Sequence, residues 1–142
     1  MSHDPLETVL RLRRLAVDAS QVALIAGIAT ATQANDAARA AERSIVDETH
    51  RASCPNGDDS LVEALAAWLP AARQRVAQAR ARHDDTEAEV ARCRAELTAC
   101  RTAFESIEAL RDRRLAERES VLAAAEQRSL DDVAARPCNP RA

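Results

Sequence analysis

The sequence predicts an all-α fold, a long antiparallel two-helix coiled-coil hairpin. The 142 residues include only 2 glycines and 5 prolines, and no stretch alternates apolar and polar residues as a strand does. Aromatic residues make up 1 % of the chain, which is too little bulk for a thick globular core. One apolar seam recurs at heptad spacing and must therefore pack against another long helix. The seam consists of Val62, Leu65, Leu69, Ala72, Val76, Ala79, Val90, Cys93, Leu97, Cys100, Phe104 and Ile107, with His83 and Thr86 interrupting it.

The first helix is expected over residues 5–50. Asp4 is a suitable N-cap, Pro5 suits the first helical position, and Glu7 lies three residues after the cap. An Ala-rich track is expected to face the second helix, with other apolar residues on its flanks. The track consists of Val9, Leu12, Ala16, Ala19, Ala23, Ala26, Thr30, Ala37 and Ala40, and the flanks consist of Leu15, Val22 and Ile25 on one side and Leu6, Val17, Leu24, Ile28 and Ile45 on the other.

Residues 52–59 predict a turn, because they contain Pro, Asn-Gly and Asp in succession. Ser60 and Glu63 then form a capping box for a second helix over residues 60–136. Pro70 predicts a kink, or a short separate helix over 60–69, within a single domain that spans residues 1–142. Residues 137–142 are expected to be a disordered tail. A turn centred near Asn56 would set Val9 opposite Phe104, Ala16 opposite Leu97 and Ala23 opposite Val90.

The second helix is expected to overhang the first. Beyond about Ile107 it has no partner within the hairpin, yet its apolar pattern continues after a four-residue phase slip. A long amphipathic helix with a single apolar stripe is marginally stable by itself. Either another chain covers the overhang or the hairpin register shifts to do so. The continued stripe consists of Leu110, Leu115, Leu122, Leu130 and Val133.

The charges exclude several classes of partner. The chain carries 20 basic and 23 acidic residues, a net charge of −3, and the two signs interleave along it. No face gathers one sign, which disfavours nucleic acid and acidic membranes as partners. Residues 19–35 carry no charge, but several polar residues dilute them and Asp18 precedes them, so neither a membrane span nor a signal sequence is expected. The expected location is cytoplasmic.

No residues form an expected catalytic or metal site. Cys93 and Cys100 are two helical turns apart, about 10 Å, which is too far for a disulfide within one helix. His50 with Cys54 is the one pair at a spacing typical of metal ligands, and neither a metal nor a cofactor is expected. The chain has no glycine-rich phosphate loop, and no nucleophile or carboxylate pair accompanies His83. The protein is therefore not expected to be an enzyme.

Three segments of the chain carry a resemblance to a known family. They are Leu6, Val9, Leu10, Arg13, Val17, Asp18 and Ala19, then Trp68, Leu69, Val76, Ala79 and His83, and finally Glu126, Gln127, Arg128, Leu130, Asp131, Asp132 and Ala134. Together they resemble the flagellar export stalk family FliJ. The resemblance implies a cytoplasmic helical hairpin that works like the central stalk of a rotary ATPase. Its terminal end would enter the hexameric export ATPase, and its tip half would contact the cytoplasmic domain of the export gate or escort export chaperones.

The resemblance also implies two groups of partner-binding residues. At the tip they are Trp68, Leu69, Ala72, Val76, Ala79 and His83, although Ala72 is smaller than the family pattern implies. In the C-terminal stalk they are Leu115, Leu122, Leu130 and Val133. Two alternatives stay open. Val76, Ala79 and His83 occupy seam positions, where residues pack inside any hairpin and His83 with Thr86 would form a polar layer. The chain as a whole is alternatively a structural scaffold that self-associates through its C-terminal helix.

Overall fold

Two long α-helices account for almost all of the residues that the computed structural model describes, which are residues 5–53 and 59–135. Helix α1 is Pro5–Ala52, with 48 residues, and helix α2 is Asp59–Ala134, with 76 residues. The all-α prediction is confirmed. The Asp4 cap, most of the turn over 52–59 and the tail over 137–142 lie outside the described residues.

Local sequence explains where the helices begin and why they continue. Pro5 has a backbone dihedral that suits the first helical position, Glu7 lies in the first turn, and His50 and Arg51 lie in the last turn, each favoured by the helix dipole. Helix α2 passes through Pro70 as one helix, so residues 60–69 do not form a separate helix. The residues around Pro70 include good helix formers such as Ala and Leu.

The chain forms two compact units. The hairpin unit is Ala16–Cys100, and the terminal unit consists of the described residues before Ala16 and after Cys100. Within the hairpin unit the helices pack antiparallel. The Ser20 hydroxyl donates to Cys100 Sγ at 3.4 Å near one end, and Arg80 Nε donates to Glu42 Oε1 at 2.7 Å nearer the other. Contacts that advance along α1 therefore move back along α2, as in a hairpin.

The α2 seam predicted from sequence is the face that this helix buries. Ala72, Val90 and Leu97 are buried, and the intervening seam residues from Leu65 to Cys100 are half-buried. Val62 is the exception at the start, with half of its surface exposed. The heptad spacing therefore identified the packed face of α2 correctly.

The track predicted for α1 is wrong within the hairpin unit, because Ala19, Ala23 and Ala26 are exposed. Two interleaved heptad rows of mostly small residues form the packed face instead, and small side chains allow two helix backbones to approach closely. Ser20, Ala31, Ala34 and Ala38 are buried there. One row is Val17, Leu24, Ala31, Ala38 and Ile45, and the other is Ser20, Gly27, Ala34 and Ala41.

The predicted hairpin register is also wrong, by about two helical turns. A turn centred near Asn56 would set Gly27 opposite Asp85. In the structure a Cβ built on Gly27 would lie 3.6 Å from Val90 Cγ2 and 4.0 Å from Cys93 Sγ. The shift accompanies a late start of burial in α2, which begins at Asp59 but whose first half-buried residue is Leu65.

In the terminal unit, α2 is packed only as far as Arg111. Leu10 of α1 is buried and Phe104, Ile107 and Arg111 of α2 are half-buried. The Arg111 guanidinium donates to Asp112, which together with Glu108 and Glu7 raises the pKa of Arg111. Every residue from 112 to 135 is exposed. The overhang predicted from sequence thus exists, and it begins one turn later than Ile107.

Candidate partner-binding surfaces

The uncovered part of α2, residues 112–135, carries an exposed apolar stripe. Leu115 is 48 % exposed, Leu122 64 %, Leu130 64 % and Val133 63 %. A helix that turns by about 100° per residue places Leu115, Leu122 and Val133 in one line and Leu130 beside it. These are the residues expected to bind a partner in the C-terminal stalk. We call this set the stalk stripe.

Charged residues lie within and beside the stalk stripe. At about 100° per residue, Glu119 and Glu126 lie between the lines of Leu115 and Leu130, and Arg118, Arg114 and Asp132 lie on the other side of Leu115. The ion pairs of the described chain involve residues between Glu42 and Asp112, whereas the segment 113–135 forms none. The order of the charges along the chain does not reveal this arrangement, whereas grouping the charges by helix face does.

Most of the expected tip residues lie on the face of α2 that packs within the hairpin unit. Ala72 is 3 % exposed, and Leu69, Val76, Ala79 and His83 are half-buried. These positions fit the alternative that the residues pack inside the hairpin. Part of each half-buried side chain is nevertheless accessible. Ala72 contributes almost no surface that a partner could contact.

Trp68 lines an open groove of about 500 Å³ in the hairpin unit. The Arg75 guanidinium lies 5.5 Å from the centre of its ring, within the range of a cation–π contact. Trp68 is half-buried, so part of its side chain contacts its own chain and part stays accessible. The other residues that line the groove are Glu48, Arg51, Ala52, Leu61, Ala64 and Leu65.

His83 lies on the packed face of α2, beside two carboxylates of its own helix. Its Nδ1 lies 3.4 Å from Asp84 Oδ1 and its Nε2 lies 3.9 Å from Glu87 Oε1. The Thr86 hydroxyl donates to the His83 carbonyl at 2.7 Å, so it satisfies a backbone group of its own helix. The His83 side chain is 30 % exposed.

The cysteine thiols that the structure describes belong to the helix packing. Cys93 and Cys100 are half-buried and free, and Cys100 accepts the hydrogen bond from Ser20. Within residues 5–53 and 59–135, no group of three or more His, Cys, Asp or Glu side chains is placed to hold a metal ion. His50 is exposed, and Cys54, its expected partner in ligand spacing, lies outside the described residues.

Helix α1 is long and apolar enough to cross a membrane, judged by length and composition alone. Much of this apolar character faces outward in the hairpin unit, where Val22 is 67 % exposed and Ile25 68 %. Both residues lie on a flank of the track predicted for α1, and the sequence does not predict a span there. An apolar helix near an N-terminus is weak support for a span, because core helices share its composition.

One comparison with known proteins gives a match. The family model described as Flagellar FliJ protein matches residues 1–141, which is nearly the whole chain. No curated protein and no solved structure matches.

Proposed function

Because the chain belongs to the flagellar FliJ family, we propose that it acts as the central stalk of the flagellar export ATPase. The family is a non-catalytic component of the flagellar protein export apparatus, and membership indicates a cytoplasmic location at the flagellar base. In this proposal the uncovered end of α2 enters the hexameric ATPase ring. The hairpin unit stays outside the ring, at the inner face of the membrane.

The exposed stalk stripe is the observation that carries the proposal. Burying a Leu or Val side chain completely is worth about 1.5–3 kcal/mol, and roughly half to two thirds of each stripe side chain is still exposed. The four side chains together therefore offer about 4–7 kcal/mol to a partner before the costs of association. A ring that surrounds a helix provides a surface that can bury such a stripe.

The second proposed contact joins the tip to the cytoplasmic domain of the export gate or to export chaperones. Trp68 and its groove support this contact, because a half-buried Trp beside accessible apolar residues is a common anchor in protein interfaces. Leu69 directly follows Trp68 in the chain and is also half-buried. Val76, Ala79 and His83 contribute only their accessible edges, and Ala72 acts by allowing the helices to pack.

The alternative function is a scaffold that self-associates through its C-terminal helix. The same stripe favours it, because an exposed apolar line on a long helix is the usual surface of a coiled-coil partner. The two functions predict different species in solution. A stalk is monomeric until it meets the ATPase, whereas a scaffold is a stable dimer at micromolar concentration, and sedimentation equilibrium separates these outcomes.

The test of the stalk function is the turnover of the cognate export ATPase. The full chain should raise turnover, and a chain that ends at Arg111 should not, because it lacks the stalk stripe. Circular dichroism should show that the shortened chain retains its helices. Stimulation by both chains, or by neither, would contradict the proposal.

A further inference from the structure

Arg75 places a positive charge beside the open groove that Trp68 lines in the hairpin unit. We propose that Trp68 and Arg75 together recognise a helix of a partner protein, one that presents an apolar side chain and, one helical turn away, a carboxylate. The inference rests on the proposed tip contact and adds the chemistry of the segment that binds there. It also assigns a role to Arg75, which lies outside the tip residues predicted from sequence.

The groove itself is apolar and carries no net charge. Leu61, Leu65 and Trp68 are the large apolar side chains among the residues that line it. The two charged lining residues, Glu48 and Arg51, form an ion pair with each other at 2.6 Å. A volume of about 500 Å³ is within the range of pockets that bury organic groups. The groove therefore suits an apolar side chain of a partner and not a charged one.

Arg75 lies on the same line of α2 as Trp68, seven residues further along the helix. Side chains of a helix lean toward its N-terminus, so the Trp68 ring leans toward Leu61 and Leu65, and the Arg75 side chain leans toward the ring. The guanidinium lies 5.5 Å from the centre of the ring. Arg75 is not one of the groove-lining residues, so its charge lies beside the apolar site and not within it.

No carboxylate of the described chain neutralises Arg75. The ion pairs within residues 5–53 and 59–135 do not include it, whereas Arg80, for example, pairs with Glu42. The aromatic ring attracts the cation but has no net charge to offset it. A partner carboxylate therefore gains an ion pair at Arg75 without breaking an existing one. A single cation suits one carboxylate, whereas a polyanion such as nucleic acid requires a cluster of basic residues.

The distance between the ring and the guanidinium sets the spacing of the two groups on the partner. The separation of 5.5 Å is close to one helical turn, about 5.4 Å. Residues three or four positions apart on a helix lie on one face at this spacing. A partner helix with an Asp or Glu three or four positions from an apolar residue can therefore contact Arg75 and Trp68 at once, as helices bound in grooves do.

The main test measures binding by calorimetry, with the cytoplasmic domain of the cognate export gate as one probe and an export chaperone as the other. For a probe that the wild type binds, Arg75→Gln should raise the Kd about tenfold in about 50 mM salt and about threefold in about 500 mM salt, because salt screens the ion pair. Arg75→Lys keeps the charge without the planar guanidinium and should raise the Kd about threefold.

Arg73→Gln is the matched control, because it removes the same charge from an exposed position about 160° around the helix from Arg75. It should change the Kd by less than about twofold at either salt concentration. Arg75 is also exposed, and circular dichroism checks that each variant keeps its helices.

Trp68 is the only Trp of the chain, so its fluorescence tests the geometry without a partner. Acrylamide should quench this fluorescence in the wild type, because the groove is open. Iodide should quench the wild type and Arg73→Gln about twofold more strongly than Arg75→Gln, because a cation beside the ring attracts the anion.

The outcomes separate the inference from the tip contact on which it rests. If the wild type binds neither probe, or if Trp68→Ala leaves binding unchanged, both are overturned. If Trp68→Ala weakens binding but Arg75→Gln behaves like Arg73→Gln, only the inference is overturned. Fluorescence that acrylamide does not quench would mean that the chain itself covers the groove, and a wild-type dimer that Arg75→Gln dissociates would make the occupant a second copy. Either result would overturn the inference.

Discussion

Replacing Gly27 with Ala should stabilise the protein, and this prediction tests the helix packing directly. Gly27 lies in the packed face of α1, where its missing Cβ leaves space. A Cβ at this position would lie 3.6 Å from Val90 Cγ2 and 4.0 Å from Cys93 Sγ. Both distances are ordinary van der Waals contacts, so the new methyl group fits without moving α2.

The expected gain has two sources. Gly within a helix is less favourable than Ala by about 0.8–1.0 kcal/mol, because the unfolded Gly chain has more conformational freedom. The methyl group also becomes partly buried against Val90, and a buried methylene is worth about 0.8 kcal/mol. The total is about 1–1.5 kcal/mol, or a rise in Tm of about 4 °C for a chain of this size.

Urea unfolding followed by circular dichroism at 222 nm measures the change. Ala26→Gly is the matched control, because Ala26 is the preceding residue, is exposed, and should lose about 1 kcal/mol through helix propensity alone. Gly27→Leu should lower stability, since a long side chain overpacks the site. A loss of stability in Gly27→Ala would mean that the helices lie closer together than described here, and would refute the packing account.

Two further predictions concern the packed core and the tip. Val90→Ala should lower the free energy of unfolding by about 2 kcal/mol because Val90 is 2 % exposed, whereas Val121→Ala, at 64 % exposed, should change it by less than about 0.5 kcal/mol in the same urea titration. Trp68→Ala should weaken binding to the export gate domain or to an export chaperone about tenfold in calorimetry, with a loss of stability near 1 kcal/mol. Unchanged binding, or a loss of several kcal/mol in the free energy of unfolding, would mean that Trp68 is a core residue and not a partner contact.

The seam of α2 was predictable because bulky residues mark it. Val76, Val90, Leu97 and Phe104 recur at heptad spacing among polar neighbours, so only one face can be buried. In α1 that contrast is missing. Alanine occurs on every side of this helix, and the packed face contains Ser20 and Gly27, which no count of hydrophobic residues selects. Small residues at seven-residue spacing were the available signal.

The hairpin register was harder to predict from the sequence than the fold class. The sequence locates a turn by its Pro, Asn and Gly residues, but it does not say how many residues of α2 pass before packing begins. Here the first turns up to Ala64 are exposed and packing starts at Leu65. The uncovered segment was predictable because a hairpin with helices of unequal length must leave an overhang. The charges within and beside its apolar stripe are found only when the helix face of each residue is considered.

The central claim is that residues 112–135 bind inside the export ATPase, and photo-crosslinking tests it most directly. A photoreactive amino acid replaces Leu122 on the stalk stripe, and Ala124, about 160° around the helix from it, serves as the control position. With the ATPase present, the account predicts a crosslink from position 122 to an ATPase subunit in high yield, with a weaker one from position 124. A crosslink from position 122 only to a second copy of the chain, or to no ATPase subunit, would contradict it.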